Sequence, residues 1–410
     1  MKNCNMPGVR LCFTVAGSIF LWIFSVTCSY CQNTTKFKLE PKDTLEVYIA
    51  DSARFNMGLS YLQCFDFVSF YYEKSIYLYS LNELKHYKKI DLSRLPISSF
   101  KGYFIKNQDS IFILTRDPTH IYITDWNSNI IDDIPLCFPE FAKLVNKISN
   151  NVNKSGVFEF YSSNYAPMVV IDNNIFLMNY NYQVYNSFNP VTKTVDWYSD
   201  SGYYHLSGIS TSPILSYSKN KINRINCETG IWPKKYTENN SYIIHGSDVS
   251  RAICDNKLIF SFGMDHNLYV YDSSQLIRKV FVKSKYIDSL EITDKSKIND
   301  PWYIKQSTNT FSFYKGIVYD KYRKLFYRIA VHKQVFSNQD GTINLLGDNP
   351  WSIIITDTNF KVLDEIYIPA KTLDFNSIIV TANYLLIHRY YENNYQTKHD
   401  FIGFNLNKEE

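Results

Sequence analysis

The residues with the most chemical reach in this chain lie in one short hairpin. Ile317 and Tyr319 alternate along a first strand, Asp320 to Lys324 make a turn, and Leu325, Tyr327 and Ile329 alternate along a second. Period-two alternation sets Arg328 on the face opposite Tyr327. A guanidinium fixed on a strand beside Tyr322 and Arg323 could offer a planar, many-donor group to a carboxylate or phosphate. A structural ion pair between Arg328 and an Asp of a neighbouring strand would use the same donors, and at this level both readings stand. Arg116 and Arg389 invite the same two readings.

Other candidate groups are weaker. Glycosidases on propeller scaffolds need paired carboxylates, and Asp125, Asp172, Asp272, Asp320 and Asp357 are available. Most of these follow an apolar strand run, where Asp initiates a turn. Cys227 and Cys254, on adjoining repeats, are the pair to suspect of a disulfide if the chain is exported, and buried free thiols acting as small hydrophobes are the favoured reading. The eight His residues are scattered singly, so no metal site is expected. His332 and His388 flank strands and read as satisfied structural residues. Phosphate-binding, dinucleotide and zinc-protease motifs are absent, and Asn338-Gln339-Asp340-Gly341 lacks the flanking carboxylates of a calcium loop. No cofactor is implied.

The elements that must position these groups repeat. A short apolar strand, a turn on Asp or Asn, and a further apolar strand recur at Ile76–Tyr79, Ile121–Ile123, Leu268–Asp272 and Ile353–Asp357. Self-similarity at roughly 40 to 50 residues is the signature of a β-propeller. The units read 61–92, 101–136, 168–198, 205–236, 248–282, 311–368 and 373–406. An all-β single propeller over 37–410 is therefore expected, with seven blades favoured and six or eight possible. Residues 37–49 read as a strand pair, and supply an outer strand to close the ring against the last blade, which removes open edges. Two insertions interrupt the repeat. In 137–167, Pro139 followed by Phe141, Leu144, Val145 and Ile148 predicts a short helix near 139–148. The other, 283–310, reads as a long loop.

Composition narrows the function classes. The charged fraction of 20% and hydrophobic fraction of 45% exclude general disorder. Net charge is +4. Residues 1–27 hold Lys2 and Arg10, so without them 41 basic residues face 39 acidic ones. With no long basic run, a nucleic-acid partner is excluded. The 34 Tyr and 28 Phe suit half-buried strands. At the N-terminus, Lys2 and Arg10 precede an apolar stretch from Leu11 to Val26, as in an export signal. Ser25-Val26-Thr27-Cys28 offers a lipoprotein cleavage site, giving a signal peptide over 1–27, Cys28 as lipid attachment and a tether over 28–36. Ordinary signal-peptidase cleavage and a retained N-terminal anchor are the rivals.

The hairpin from Phe313 to Ile329, with Trp351–Asp357 and Asn359–Val362 downstream, resembles the domain of unknown function 4221 family. These are propeller-like exported lipoproteins of Gram-negative bacteria. The resemblance implies a secreted propeller, lipid-tethered at the outer membrane and facing the periplasm or the surface, with a soluble periplasmic or secreted form as the alternative. It brings no activity and no site residues. The expectation for function is a non-catalytic binding or scaffold protein recognising a peptide, protein or glycan, touching membrane through its lipid alone. A carbohydrate-active enzyme, glycosidase or lyase, is the alternative.

Overall fold

The computed structural model describes residues 36–48, 62–64, 67–97, 100–115, 120–136, 159–163, 165–180, 188–189, 194–195, 211–218, 221–226, 228–236, 249–291, 295–297, 300–391 and 398–409. Six four-stranded antiparallel sheets form the blades of a propeller. The chain enters on β1 (Lys36–Tyr48). Blade 1 is β2 (Leu62–Cys64), β3 (Phe67–Tyr72), β4 (Ser75–Ser80) and β5 (Lys85–Asp91). Blade 2 is β6 (Phe100–Asn107), β7 (Ser110–Thr115), β8 (His120–Thr124) and β9 (Ile130–Pro135).

Blade 3 corrects the blade count. A short pair, β10 (Glu159–Tyr161) with β13 (Met178–Tyr180), flanks β11 (Val169–Ile171) and β12 (Asn174–Phe176). A second pair, β14 (Phe188–Asn189) with β15 (Thr194–Val195), precedes β16 (Ile214–Ser218) and β17 (Lys221–Asn226). The sheet runs β11-β12-β16-β17, with Ile175 opposite Leu215. The two units expected at 168–198 and 205–236 are thus halves of one blade. Each half buries one hairpin's apolar face, and neither fills a four-stranded layer alone, so seven becomes six.

Blade 4 is β18 (Val249–Cys254), β19 (Lys257–Phe262), β20 (Asn267–Asp272) and β21 (Gln275–Phe281). Blade 5 follows helix α1 (Pro301–Thr310) and holds β22 (Phe313–Asp320), β23 (Leu325–Val331), β24 (Trp351–Asp357) and β25 (Val362–Ile368). Blade 6 is β26 (Leu373–Val380), β27 (Leu385–Arg389) and β28 (Lys398–Glu409), completed by β1. The closure expected of residues 37–49 is present, as one long strand rather than a strand pair. Lys36 lies opposite Glu409 and Tyr48 opposite Lys398, with an irregularity between Pro41 and Asp43. A proline fits there because a bulge on an outer strand needs no ladder donor.

The helix expected near 139–148 lies outside the described residues. Within the insertion expected to be a loop, 301–310 is instead helical. Asp300 caps it, its carboxylate accepting from the backbone N–H groups of Trp302 and Tyr303, and Pro301 occupies the first helical position. That Asp-Pro pair is a start signal, and it outweighs the weak apolar periodicity that follows.

Strand direction gives the ring two unlike ends. At the lower end no connection exceeds five residues, and the ends of β1 and β28 meet there. The long connections, 282–312 and 332–350 among them, lie at the upper end. Lower turns use Asp and Asn, as the scarcity of glycine predicts. Asp172, Asp255 and Asn256 carry φ of 51°, 48° and 61°. Asp125 accepts from the backbones of Asn127 and Asn129, and Asp357 from those of Asn359 and Lys361.

Every residue of β23 is buried, so both faces of blade 5 pack. Leu325, Tyr327, Ile329 and Val331 join one core cluster, while Phe326 and Ala330 join residues of blade 4 in another. Arg328 shares the second face, opposite Tyr327 as its period requires. Its Nε donates to Ser261 Oγ at 3.0 Å, Nη1 to the carbonyls of His266 and Val282 at 2.7 and 2.5 Å, and Nη2 to that of Asp265 at 2.5 Å. The guanidinium lies 3.5 Å from the Tyr314 ring centroid. Burial pushes its pKa down to about 10, with Tyr314 and Asp265 opposing, which leaves it charged at neutral pH. Arg251 ties blade 4 to blade 3 by the same device, donating to the carbonyls of Pro167, Phe176 and Leu177 and to Ser212 Oγ.

Replacing Arg328 with Ala removes its four hydrogen bonds to Ser261 Oγ and the carbonyls of His266, Val282 and Asp265, of which the His266 carbonyl still accepts from the Val282 N–H. We expect a loss on the order of 3 kcal/mol or more, read as a fall in the urea midpoint. An unchanged midpoint would show that the seam between blades 4 and 5 does not need this side chain.

Candidate functional site

The three residues singled out in the hairpin do not converge. Tyr322 is partly exposed at the lower end, beneath the Lys321 ammonium. Arg323, in the same turn, donates to Asp320 Oδ2 at 2.8 Å and to the Thr381 carbonyl at 3.1 Å. Asp320 also accepts from the Tyr327 hydroxyl at 2.7 Å. Arg328 is fully buried, higher in the strand, on carbonyls of blade 4. Neither expected role describes it, because backbone carbonyls rather than a ligand or an Asp carboxylate satisfy it.

The remaining expectations are placed as follows. Cys254 is a buried free thiol, not half of a bridge, and Cys227 lies outside the described residues, as do Cys28 and Arg116. Arg389 Nε stands 4.0 Å from Asp400 Oδ2. His388 is satisfied, with Nε2 2.8 Å from His399 Nδ1 and Nδ1 3.4 Å from Asp374 Oδ2. His332 is not: it is 5% exposed, and neither ring nitrogen has a hydrogen-bond partner. Among the described residues no group of His, Cys, Asp or Glu could hold a metal ion.

The upper part of the central channel, where catalytic carboxylates of a propeller would converge, is filled from within. Residues 162–163 and 165–166, which follow β10, lie against the first strands of several blades. Ser162 N donates to the Lys101 carbonyl at 3.3 Å, Arg251 N to that of Tyr165 at 2.8 Å, and the Tyr165 hydroxyl to that of Phe375. A Cβ on Gly316 would lie 2.5 Å from the Tyr165 ring. Glycine is needed at 316 so that this ring can lie against the backbone.

Exposed apolar groups gather instead on the upper rim of blades 4 and 5. Of thirteen large hydrophobics exposed among the described residues, six lie there: Phe281, Tyr286, Trp302, Val335, Leu345 and Tyr367. Solvent-facing clustering of this kind marks an interaction site more than scattered apolar residues do. The supporting frame is rigid. Gln334 Nε2 donates to the carbonyls of Asn309 and Leu345, both at 2.8 Å, joining α1 to the 332–350 connection. Asn338 and Asn344 exchange amide hydrogen bonds at 3.0 and 3.1 Å. Trp302 stands perpendicular to Phe336 at 5.1 Å. The one sequence signal for this rim is the Asp300-Pro301-Trp302 run, which places a tryptophan at the start of a capped helix.

A groove of about 570 Å³ at the seam of blades 6 and 1 is lined by Thr44, Glu46, Tyr77, Tyr79, Leu84, Lys85 and His86. Its Lys85 ammonium is held by Glu83 at 2.6 Å.

Two measurements test this geometry. Gly316→Ala should destabilise the ring by about 1–3 kcal/mol through overpacking, and Tyr165→Ala in the same chain should recover part of that loss. Additive losses in a double-mutant cycle would show that residues 165 and 316 do not touch. His332 has its pKa pushed down to about 4 by burial. Between the ordinary value near 6.5 and 4, the unfolded chain takes up a proton that the folded one refuses. Stability therefore falls as pH drops through that window, by roughly 3 kcal/mol. Urea midpoints at pH 7 and pH 4.5 should show a smaller drop for His332→Phe than for the wild type; equal drops would contradict the buried neutral imidazole.

Comparison with known proteins agrees with this architecture. The model of the domain of unknown function DUF4221 matches residues 36–367. A crystal structure of a member of that family from Bacteroides vulgatus ATCC 8482 superposes with a TM-score of 0.66 at 16% identity, covering 92% of this chain and 100% of that one. A protein described as exported, from Bacteroides fragilis NCTC 9343, gives a TM-score of 0.48 at 8% identity, over 91% of this chain and 96% of that one. Virginiamycin B lyase from Staphylococcus aureus gives 0.39 at 10% identity, over 90% and 99%. Those last two likenesses are too slight to carry an argument. No curated protein sequence matches. The family match spans the closing strand and the first five blades, and the chain belongs to the DUF4221 family.

Proposed function

We propose that this chain is a non-catalytic binding or scaffold propeller of the cell envelope, engaging its partner through the upper rim of blades 4 and 5. The observation that carries this is the concentration of exposed Trp302, Tyr286, Tyr367, Val335, Leu345 and Phe281 on one end of two neighbouring blades. Large aromatic groups held on a rigid frame bind with little ordering cost. The polarity of the ring supports the same reading. Lys36 leaves the fold at the lower end, so an anchor at Cys28, a few residues upstream, turns the upper rim away from the membrane. No helix among the described residues is long and apolar enough to cross one, which leaves the lipid as the membrane contact of this reading.

The glycosidase or lyase alternative has less behind it. It needs carboxylates facing one depression, and Tyr165 occupies the upper channel. Asp320 is engaged with Arg323 and Tyr327, and Asp265 with Asn267 and Tyr269.

A photoreactive phenylalanine analogue placed at Trp302 or at Tyr322 in cells producing the chain tests the reading. Discrete adducts are expected from position 302 and none from 322. Adducts from 322 alone, or from neither position, would overturn it.

A further inference from the structure

We propose that Tyr286, His332 and Tyr367 form a subsite for a pyranose ring of a neutral glycan. This rests on the upper-rim binding reading and narrows it. The starting point is His332. Its backbone is fixed on both sides, its N–H donating to the Pro350 carbonyl at 2.9 Å and its carbonyl accepting from Asn349 Nδ2 at 2.7 Å. Its imidazole is 5% exposed, and both ring nitrogens lack partners. A buried donor and a buried acceptor left unpaired cost about 1–3 kcal/mol each, and such groups in a native fold call for a reason.

The surroundings say what could satisfy them. Tyr367 lies parallel to the imidazole, at 7° and 5.9 Å, and Tyr286 is inclined to it at 62° and 5.3 Å. The two tyrosine rings are 5.1 Å apart, and they are 42% and 45% exposed. Two aromatic faces therefore open to solvent over a neutral imidazole, which holds one N–H and one lone pair.

The charges beside the site are engaged, and one of them, the Lys285 ammonium, lies over the Tyr286 ring at 5.0 Å from its centroid. Lys283 and Lys285 direct their ammonium groups to the carbonyls of Asp288 and Glu365, at 3.0 and 3.1 Å. The Glu365 carboxylate accepts from Ser284 Oγ, Lys285 N and Ser352 Oγ. Burial keeps His332 uncharged above about pH 4. An anionic ligand would find only neutral donors in this trio, and an apolar peptide side chain would leave the imidazole unpaired. A sugar ring fits both needs. Its C–H face packs on tyrosine, and a hydroxyl donates and accepts at once. The nitrogens are covered in the unliganded chain, so engagement requires one tyrosine to turn. Tyr286 belongs to the 282–312 connection rather than to a strand, and it is the ring placed to do so.

The test uses the chain labelled with ¹⁵N-histidine and three neutral probes: cellohexaose, maltohexaose and laminarihexaose. At least one should shift the ring signals of His332, assigned by their loss in His332→Phe. Its dissociation constant should rise at least tenfold in His332→Phe and in Tyr367→Ala, with thermal melts confirming that both fold. No shift with any of the three probes, or equal affinity in His332→Phe, overturns the subsite. Adducts from position 302 without sugar binding would leave the binding propeller standing with a peptide or protein partner, and would remove the glycan.

Discussion

The ring exists because its first strand is also part of its last blade. β1 pairs along its length with β28, so the contact between the two ends of the described chain is an antiparallel ladder rather than a packed surface. Ladder hydrogen bonds are directional, and without them β28 would present an unpaired edge. The Phe37 N–H reaches Asp364 Oδ2 of blade 5 at 2.6 Å, which ties the closing strand to the neighbouring blade as well. One further consequence is positional. Because closure places Lys36 beside Glu409, both ends of the described chain fall at the lower end, and the upper end is left to the long connections.

Within that closed ring each blade is packed on two faces, and charge is used where apolar packing alone would leave carbonyls unpaired. Arg328 and Arg251 each reach from one blade into the preceding blade and collect carbonyl oxygens where its strands end. A guanidinium suits this role, since its donors lie in one plane and stay charged when buried. Its face is also used: Tyr314 lies against Arg328, and Phe176 is 5.9 Å from Arg251. Apolar residues at these two positions would bury the same area and strand several acceptors.

The fold class was legible because strand alternation and Asx turns are local. Ile76–Tyr79 and Leu268–Asp272 announce themselves by period alone, and Asp125 and Asp357 make the turns that their positions after apolar runs imply. The blade count was not legible, because nothing local tells that Asn174–Phe176 pairs with Ile214–Ser218 across an insertion. For α1, Asp300-Pro301 is a local start signal, but the polar run before it and the weak apolar periodicity after it make the segment read as a loop. Arg328 shows the same limit at a single residue. Its face followed from period two, whereas its partners are carbonyls of another blade, which no side-chain pattern encodes. His332 and His388 look alike in sequence, each flanking a strand, and only packing distinguishes the satisfied one from the orphan.

That orphan has meaning because the rest of the blade is so fully satisfied. Around blade 5, Glu365, Ser284, Ser352, Gln334, Asn344 and Asn349 all have partners. A sheet that pairs these groups and leaves one imidazole unpaired between two open tyrosine rings concentrates its deficit at a single point. Such deficits are tolerated where a surplus elsewhere covers them, and they are retained where a bound group removes them. At the lower end Asp320, Arg323 and the Asx turns are closed among themselves, and among the described residues the Thr124 hydroxyl and the Trp126 indole N–H are the buried groups left without partners there. The two ends therefore differ in loop length, and at the upper end an orphaned imidazole meets two exposed tyrosine rings; both features point to the upper rim of blades 4 and 5.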